Sequence, residues 1–435
     1  VNVGAGQAAA VPEVSLDSVG GVGWLTTGLV LAGVVATLLA VWSPAVRRSR
    51  AWAATATPLA SIIGSGFLVV APLLAYTVGN WALVAMLGIV ALAYAVGGAV
   101  RYNIRHVEVI TDAEKAEDSS QVIYKWLERV AKLALALAYV IAITFYLELL
   151  AAFVLRLFGL EEKTYQKLIA SGLLVFIGGV GLLRGLSRLE RLERYSVDAK
   201  LAVIAGFLLG LVVVNVRRWI QGGWELNALP VEWSVDTLRK LLGAFLIVQG
   251  FETSHYLSNV YDARVRIATM RSAQLLSAAI YLLFIGLATV LFGSFGSISE
   301  TGIIDLSRRV AFVMPFLLIL GAVMAQFSAA VADALSCGGL VEAATYGRVN
   351  HRHVYAGVML LALALLWSSH IFSVIAYASR AFAAYYAIQC ALAGIHSWLS
   401  GSGRRSRFRA AWFSLLSLVM LVTAFMGIPA DTVGR

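Results

Sequence analysis

Apolar runs dominate this chain, and polar residues are confined to short gaps between them. A helix that spans a bilayer needs roughly 20 mostly apolar residues. About twelve segments meet that criterion. They are Gly23–Trp42, Ala54–Tyr76, Trp81–Ala99, Leu133–Phe158, Leu168–Leu183, Ala202–Val216, Leu241–Asn259, Leu276–Phe292, Val310–Leu340, Val354–Trp367, Ile371–Ile395 and Trp412–Met426. We number the first as span 0 and the others from 1. The pattern predicts an all-α polytopic protein of the lipid bilayer, with no second soluble domain.

Composition agrees. The 435 residues are 60% hydrophobic and 13% charged, against about 45–50% and about 25% in soluble domains. Span 0 is longer than the roughly 7–15 residues of a signal-peptide core, and no basic stretch precedes it. It is expected to be retained, with Arg47, Arg48 and Arg50 fixing its inner end.

The net charge of +10 carries topology. Basic residues gather in alternate loops: Arg47–Arg50, Arg101 and Arg105, Arg184–Arg194, Arg264–Arg271, Arg348 and Arg352, and Arg404–Arg409. The positive-inside rule makes those loops cytoplasmic and puts both termini outside. The expected location is a prokaryotic inner (plasma) membrane. Arginines dispersed between apolar spans do not form the basic face of a nucleic-acid binder. Cys337 and Cys390 both fall in apolar helices, so neither a disulfide framework nor a metal spacing is present.

Two polar stretches stand out between spans. The latter half of Arg101–Arg129 has apolar residues at helical spacing, which predicts an amphipathic helix along the inner membrane surface. The segment Arg217–Lys240 carries Trp219, Trp224 and Trp233, expected at the outer headgroup level.

Two spans are interrupted. Span 1 carries Ile63-Gly64-Ser65-Gly66 at its centre, and span 6 carries "VQGFETSHYLSN" around Gly250. Each opens a set of five spans once span 0 is set aside. Paired interruptions at matching places in two halves point to a transporter site. Unwinding frees backbone N–H and C=O groups, and only a protein-lined cavity can use them. The alternative is a packing notch, because small residues let membrane helices approach closely.

These residues carry a family resemblance. "ASIIGSGFLVVAPLLAYTVGNWAL" resembles the first helix of amino acid–polyamine–organocation (APC) superfamily transporters. "LLGAFLIVQGFETSHYLSNVYDARVRIATMRSAQLLSAAI" resembles their sixth helix and the loop into the seventh. "GLSRLERLERYSVDAKLAVIAGFLL" is similar to the loop after helix 4 and the start of helix 5, including its lysine. The resemblance covers Pro58 to Leu291 best. Span 0 lies outside the usual plan, the last helix of a twelve-span member is missing, and the loop after span 6 lacks the prolines often found there. The resemblance implies a LeuT-type fold of two inverted five-helix repeats, with substrate between helices 1 and 6. The expected divisions are 1–50 with the extra helix, 51–220 and 221–400 as the two repeats, and 401–435 as a C-terminal helix and tail.

Charged groups within membrane spans are costly and usually face a partner or a cavity. Here they are Glu148, Lys200, Glu252, His255, Asp333 and Arg380. In proton-coupled relatives, a lysine matching Lys200 occupies the space of a sodium ion against broken helix 1. Lys200 is placed at the start of span 5, where snorkelling to the inner surface is its alternative. Glu252 could carry a proton or accept hydrogen bonds from loose backbone, and Asp333 could pair with Lys200 or Arg380. A sodium-coupled member would use Ser328, Asp333 and Ser336 on helix 8. Arg380 could receive an acidic substrate group. His255 could titrate near neutral pH if it faced a cavity, with helix packing as its simpler role. Tyr139, Tyr146, Phe251 and Tyr377 could shape a pocket, with packing as their simpler role.

No nucleophile–base arrangement, GxxxxGK[ST] phosphate loop or HExxH helix occurs. The expected function is secondary active transport of a small amino acid or related amine, coupled to protons, without a cofactor or metal. The expected substrate contacts are Ile63, Gly64, Ser65, Gly66, Gln249, Gly250, Phe251, Glu252 and Tyr146. Lys200, Glu252 and Asp333 are the expected proton-coupling groups. Two alternatives remain at this level: a sodium-coupled carrier using helices 1 and 8, and a transport-inactive sensor or partner subunit. A homo-oligomer is compatible with either.

Overall fold

The computed structural model describes residues 20–111, 119–160, 162–184, 186–226, 231, 233–257, 260–295, 299–401 and 403–429. The described residues are helical, with no strand among them. The first half contains α1 (Gly20–Trp42), α2 (Pro44–Arg47), α3 (Arg50–Ile62), α4 (Ser65–Val78), α5 (Ala82–His106), α6 (Glu108–Thr111), α7 (Ser119–Leu157), α8 (Lys163–Arg184) and α9 (Ser187–Ile220). The second contains α10 (Val235–Gly243), α11 (Ala263–Ala288), α12 (Gly302–Arg308), α13 (Met314–Ala344), α14 (His351–Ser368), α15 (Ile371–Leu399) and α16 (Arg404–Met426).

Local chemistry sets several starts. Ser49 accepts from the Trp52 amide and begins α3. Ser234 and Asp262 do the same for α10 and α11, accepting from Thr237 and Val265. Asn350 accepts from the Arg352 amide and opens α14. A side-chain acceptor at this position satisfies a backbone donor that the first helical turn leaves free.

Among the described residues, nine helices are long and apolar enough to cross a membrane. The twelve predicted spans reconcile with this number. One of the nine, Gly66–His106, holds both α4 and α5, while α14 is shorter and span 6 is broken into short pieces. The expected end of span 6 at Asn259 lies outside the described residues. The LeuT-type plan of two five-helix sets, plus an N-terminal and a C-terminal helix, describes the molecule.

Packing separates into two groups. The long α7 lies against α13 and α15, forming a scaffold. Helix α11 packs on α3 and α5 and forms a second bundle with them. Span 0, as α1, lies along α9, where Trp42 Nε1 donates to Asp198 Oδ2 at 3.0 Å. Helix α16 lies along α15.

Three expectations change. The stretch read as an amphipathic surface helix is instead the first part of α7, which runs unbroken for 39 residues. At 1.5 Å per residue that is about 58 Å, well beyond the membrane core. The arginine-rich segment before span 5 is not a loop but the first turns of α9. Lys200 therefore lies well inside its helix rather than at its start. Charged residues at helical spacing extend a helix into water, and hydropathy alone does not register that extension. The third change is Arg380, whose Nε and Nη2 donate to the carbonyls of Ala424 and Phe425 at 2.8 and 2.9 Å. It caps the end of α16 and takes no part in the central site. Tyr377 is likewise turned outward, at 41% exposure. Trp219, Trp224 and Trp233 are exposed.

Candidate functional site

Both interrupted spans are broken in the structure. Helix α3 ends at Ile62 and α4 begins at Ser65, with Ile63 and Gly64 between them. A helix end leaves its last carbonyls without intrahelical donors. Here three of the four have identified partners. Leu59 C=O accepts from the Ile63 amide at 2.9 Å. Ala60 C=O accepts from Lys200 Nζ at 2.7 Å. Ile62 C=O accepts from the Tyr281 hydroxyl at 3.0 Å.

Span 6 breaks differently. After α10 come two 3-10 turns, Phe245–Val248 and Phe251–Ser254, with Gln249 and Gly250 between them. Gly250 has φ of +113°, a conformation that side-chain-bearing residues rarely adopt. Its amide donates to Glu252 Oε2 at 2.9 Å, and the Tyr386 hydroxyl donates to the same oxygen. Phe251 stacks on the Tyr386 ring at 4.8 Å. Glu252 is fully buried, and its Oε1 has no hydrogen-bond partner among the described residues.

The two breaks touch. A Cβ on Gly66 would lie 2.4 Å from the Ile247 carbonyl oxygen, so only glycine permits this approach. The Tyr281 hydroxyl reaches Ile247 C=O at 2.8 Å as well as Ile62 C=O, and so bridges both breaks. At this level the helices are packed shut.

A cavity of about 420 Å³ lies beside that closed level. Its wall on α13 is a face of small residues, among them Ala325, Ala329, Ala332, Ser336 and Gly339. Their side chains repeat at helical spacing and leave the volume unfilled. Opposite stand Thr57, Ala60 and Ser61 of α3, together with Lys132, Tyr139 and Tyr146 of α7. Thr253, Tyr256 and Leu257 close it from the segment after the second break. Lys200 and Asp333 also line it. The cavity runs toward Ala343 in the last turn of α13, where Ser336, Gly339 and Ala343 are exposed. Those helix ends lead into the arginine-rich loops.

The structure thus separates the expected site residues. Tyr146, Lys200, Asp333 and Ser328 line the cavity. Ile63, Gly66, Gln249, Gly250, Phe251 and Glu252 are buried in the closed level beside it. Ser65 opens α4 there. Gln249 links the two groups, since its Nε2 donates to the Tyr146 hydroxyl at 3.4 Å. Gly64 and Lys200 face a second space of about 20 Å³ between α4, α9 and α13, room for about one water. His255 is buried away from the cavity, and its carbonyl accepts from Arg266 Nη1 at 2.8 Å. Glu148 is buried in the opposite half of α7, where its carbonyl accepts from Gln166 Nε2.

Sequence reasoning missed Lys132, Thr253, Tyr256 and the bridging Tyr281. The small-residue face was visible in "AQFSAAVADALSCGG" as Ala, Ser and Gly at three- and four-residue spacing. The role of Tyr281 had no local signal, because its partners are carbonyls on distant segments.

Two broken helices meeting beside a cavity, within paired five-helix sets, define a membrane carrier of the LeuT-type fold. The sequence comparison gives the family. The family described as APC superfamily transporter matches residues 44–427, and the chain belongs to it. An uncharacterized protein of Aquifex aeolicus (strain VF5) is 41% identical over 405 residues, 93% of this chain and 97% of that one. The fold is similar to a crystal structure of the Eremococcus coleocola manganese transporter in complex with an aromatic bis-isothiourea substituted compound. That match has a TM-score of 0.55 at 11% identity and covers 88% of each chain. A crystal structure of a mutant of that transporter gives a TM-score of 0.54 at 11% identity, covering 98% of this chain and 91% of that one.

Proposed function

We propose that this chain is a proton-coupled carrier of a small amino acid or related organic solute. One observation carries the coupling: the Lys200 ammonium lines the cavity and donates to the freed Ala60 carbonyl of α3. An ionised donor makes a hydrogen bond roughly twice as strong as a neutral one. A charged Lys200 therefore holds α3 against α9, and loss of its proton loosens that tie. Movement of α3 then opens or closes the side of the arginine-rich loops. Alternating access consists of the bundle of α3, α5 and α11 rocking against the scaffold of α7, α13 and α15.

The lining supports an organic solute. It offers hydroxyls from serine, threonine and tyrosine, two lysines, and Asp333 as its carboxylate. A manganese site like that implied by the name of the structural relative would need a group of hard ligands. No group of three or more His, Cys, Asp or Glu side chains capable of holding a metal occurs among the described residues. Lys200 also faces the small space beside Gly64, which favours protons over sodium as the coupling ion.

The test is uptake into proteoliposomes. An inwardly directed proton gradient is expected to drive accumulation in the wild type, and Lys200→Met is expected to abolish that dependence. Uptake that ignores the pH gradient but follows sodium, or that is unchanged in Lys200→Met, overturns the reading.

A further inference from the structure

The charges of the cavity do not balance. Its lining contains two ammonium groups, Lys132 and Lys200, and one carboxylate, Asp333. Lys200 is engaged by the Ala60 carbonyl. Lys132 makes no hydrogen bond or ion pair with any described residue. It is half-buried, on the part of α7 nearest the arginine-rich loops. A cation in a cleft with low-dielectric walls concentrates anions there. A surplus ammonium facing a solute cavity is therefore a recognition element for negative charge.

The single acid sets the other half of the recognition. Asp333 shares the cavity with the Tyr139 and Tyr146 rings. It is buried, and a carboxylate in such a place favours an ammonium over a second carboxylate. A zwitterionic amino acid is neutral and leaves one of the two lysine charges unbalanced, whereas a solute with one ammonium and two carboxylates balances the lining.

We propose that the cavity selects amino acids whose side chain is itself a carboxylate. Lys132 pairs with that extra carboxylate, and Asp333 receives the α-ammonium. The inference rests on the reading of this cavity as the solute site, and it adds the charge class of the solute. A lysine that only extends its amine to lipid headgroups would contribute nothing to the choice between an acid and its amide.

The experiment measures binding to the full chain in detergent. Aspartate and glutamate are compared with asparagine and glutamine, and with glutarate, which lacks the amine. The acids are expected to bind about tenfold or more tightly than their amides, as a charge-assisted contact implies. Lys132→Gln is expected to remove that preference and Lys132→Arg to restore it. Equal binding of acids and amides by the wild type overturns the charge proposal while leaving the amino acid reading intact. A preference that survives in Lys132→Gln also overturns it. If glutarate binds and no amino acid does, the charge proposal and the amino acid reading fall together.

Discussion

The breaks in the first and sixth spans solve one problem in opposite ways. In the first, two regular helices flank a two-residue gap, and the freed carbonyls of α3 are satisfied from outside by Lys200 and Tyr281. In the second, α10 gives way to 3-10 turns, and the freed Gly250 amide is satisfied from within by Glu252 two residues on. The first break depends on other helices and changes whenever they move. The second carries its own acceptor for the Gly250 amide, while Tyr386 of α15 and Tyr281 of α11 hold it from outside.

Substitutions at the shared contact are expected to do most damage. Gly66→Val places new atoms against the Ile247 backbone, which cannot yield as a flexible side chain would. Overpacking costs about 1–3 kcal/mol and occasionally more, and a clash with rigid backbone belongs at the upper end. Loss of a monodisperse peak on size exclusion, or a large fall in Tm, would register it. A normal Tm would show that the two breaks do not meet as described.

The internal repair of the sixth span comes next. Glu252→Ala leaves the buried Gly250 amide and Tyr386 hydroxyl without their acceptor. The expected loss is about 2–3 kcal/mol. Glu252→Gln keeps an acceptor and is expected to recover more than half of it. Thermal unfolding of the two variants side by side measures the difference. If both cost the same, hydrogen bonding to the backbone is not what Glu252 supplies.

The smallest effect is expected from the external repair. Tyr281→Phe removes one hydroxyl shared by two carbonyls, at about 1 kcal/mol. Its Tm shift should be smaller than that of Glu252→Ala. The reverse order would mean that the bridging hydroxyl contributes more than the internal repair of the sixth span.

Much of this was legible in the residues. Gly64 and Gly250 marked the breaks because glycine in mid-membrane is otherwise hard to explain, and the apolar runs marked the spans. Misplacements arose where polarity and helicity part company. The first turns of α9 are charged yet helical, so hydropathy puts Lys200 at a helix end although it is an interior residue. The start of α7 misled for the same reason. The site itself was half legible. Tyr146, Lys200 and Asp333 were identifiable as polar groups in apolar spans. That Gly66 would be sealed against Ile247, and that the open volume would lie beside Thr57, Lys132 and Tyr256, depends on how separate helices rotate against each other. No local pattern encodes that rotation.

A phenol has a single hydrogen to give. Tyr281 holds it between Ile62 and Ile247, and it cannot follow both when the two segments part. The hydroxyl stays with one carbonyl, and the other is left to find a new donor. Parting of the two segments therefore breaks at least one of these two bonds.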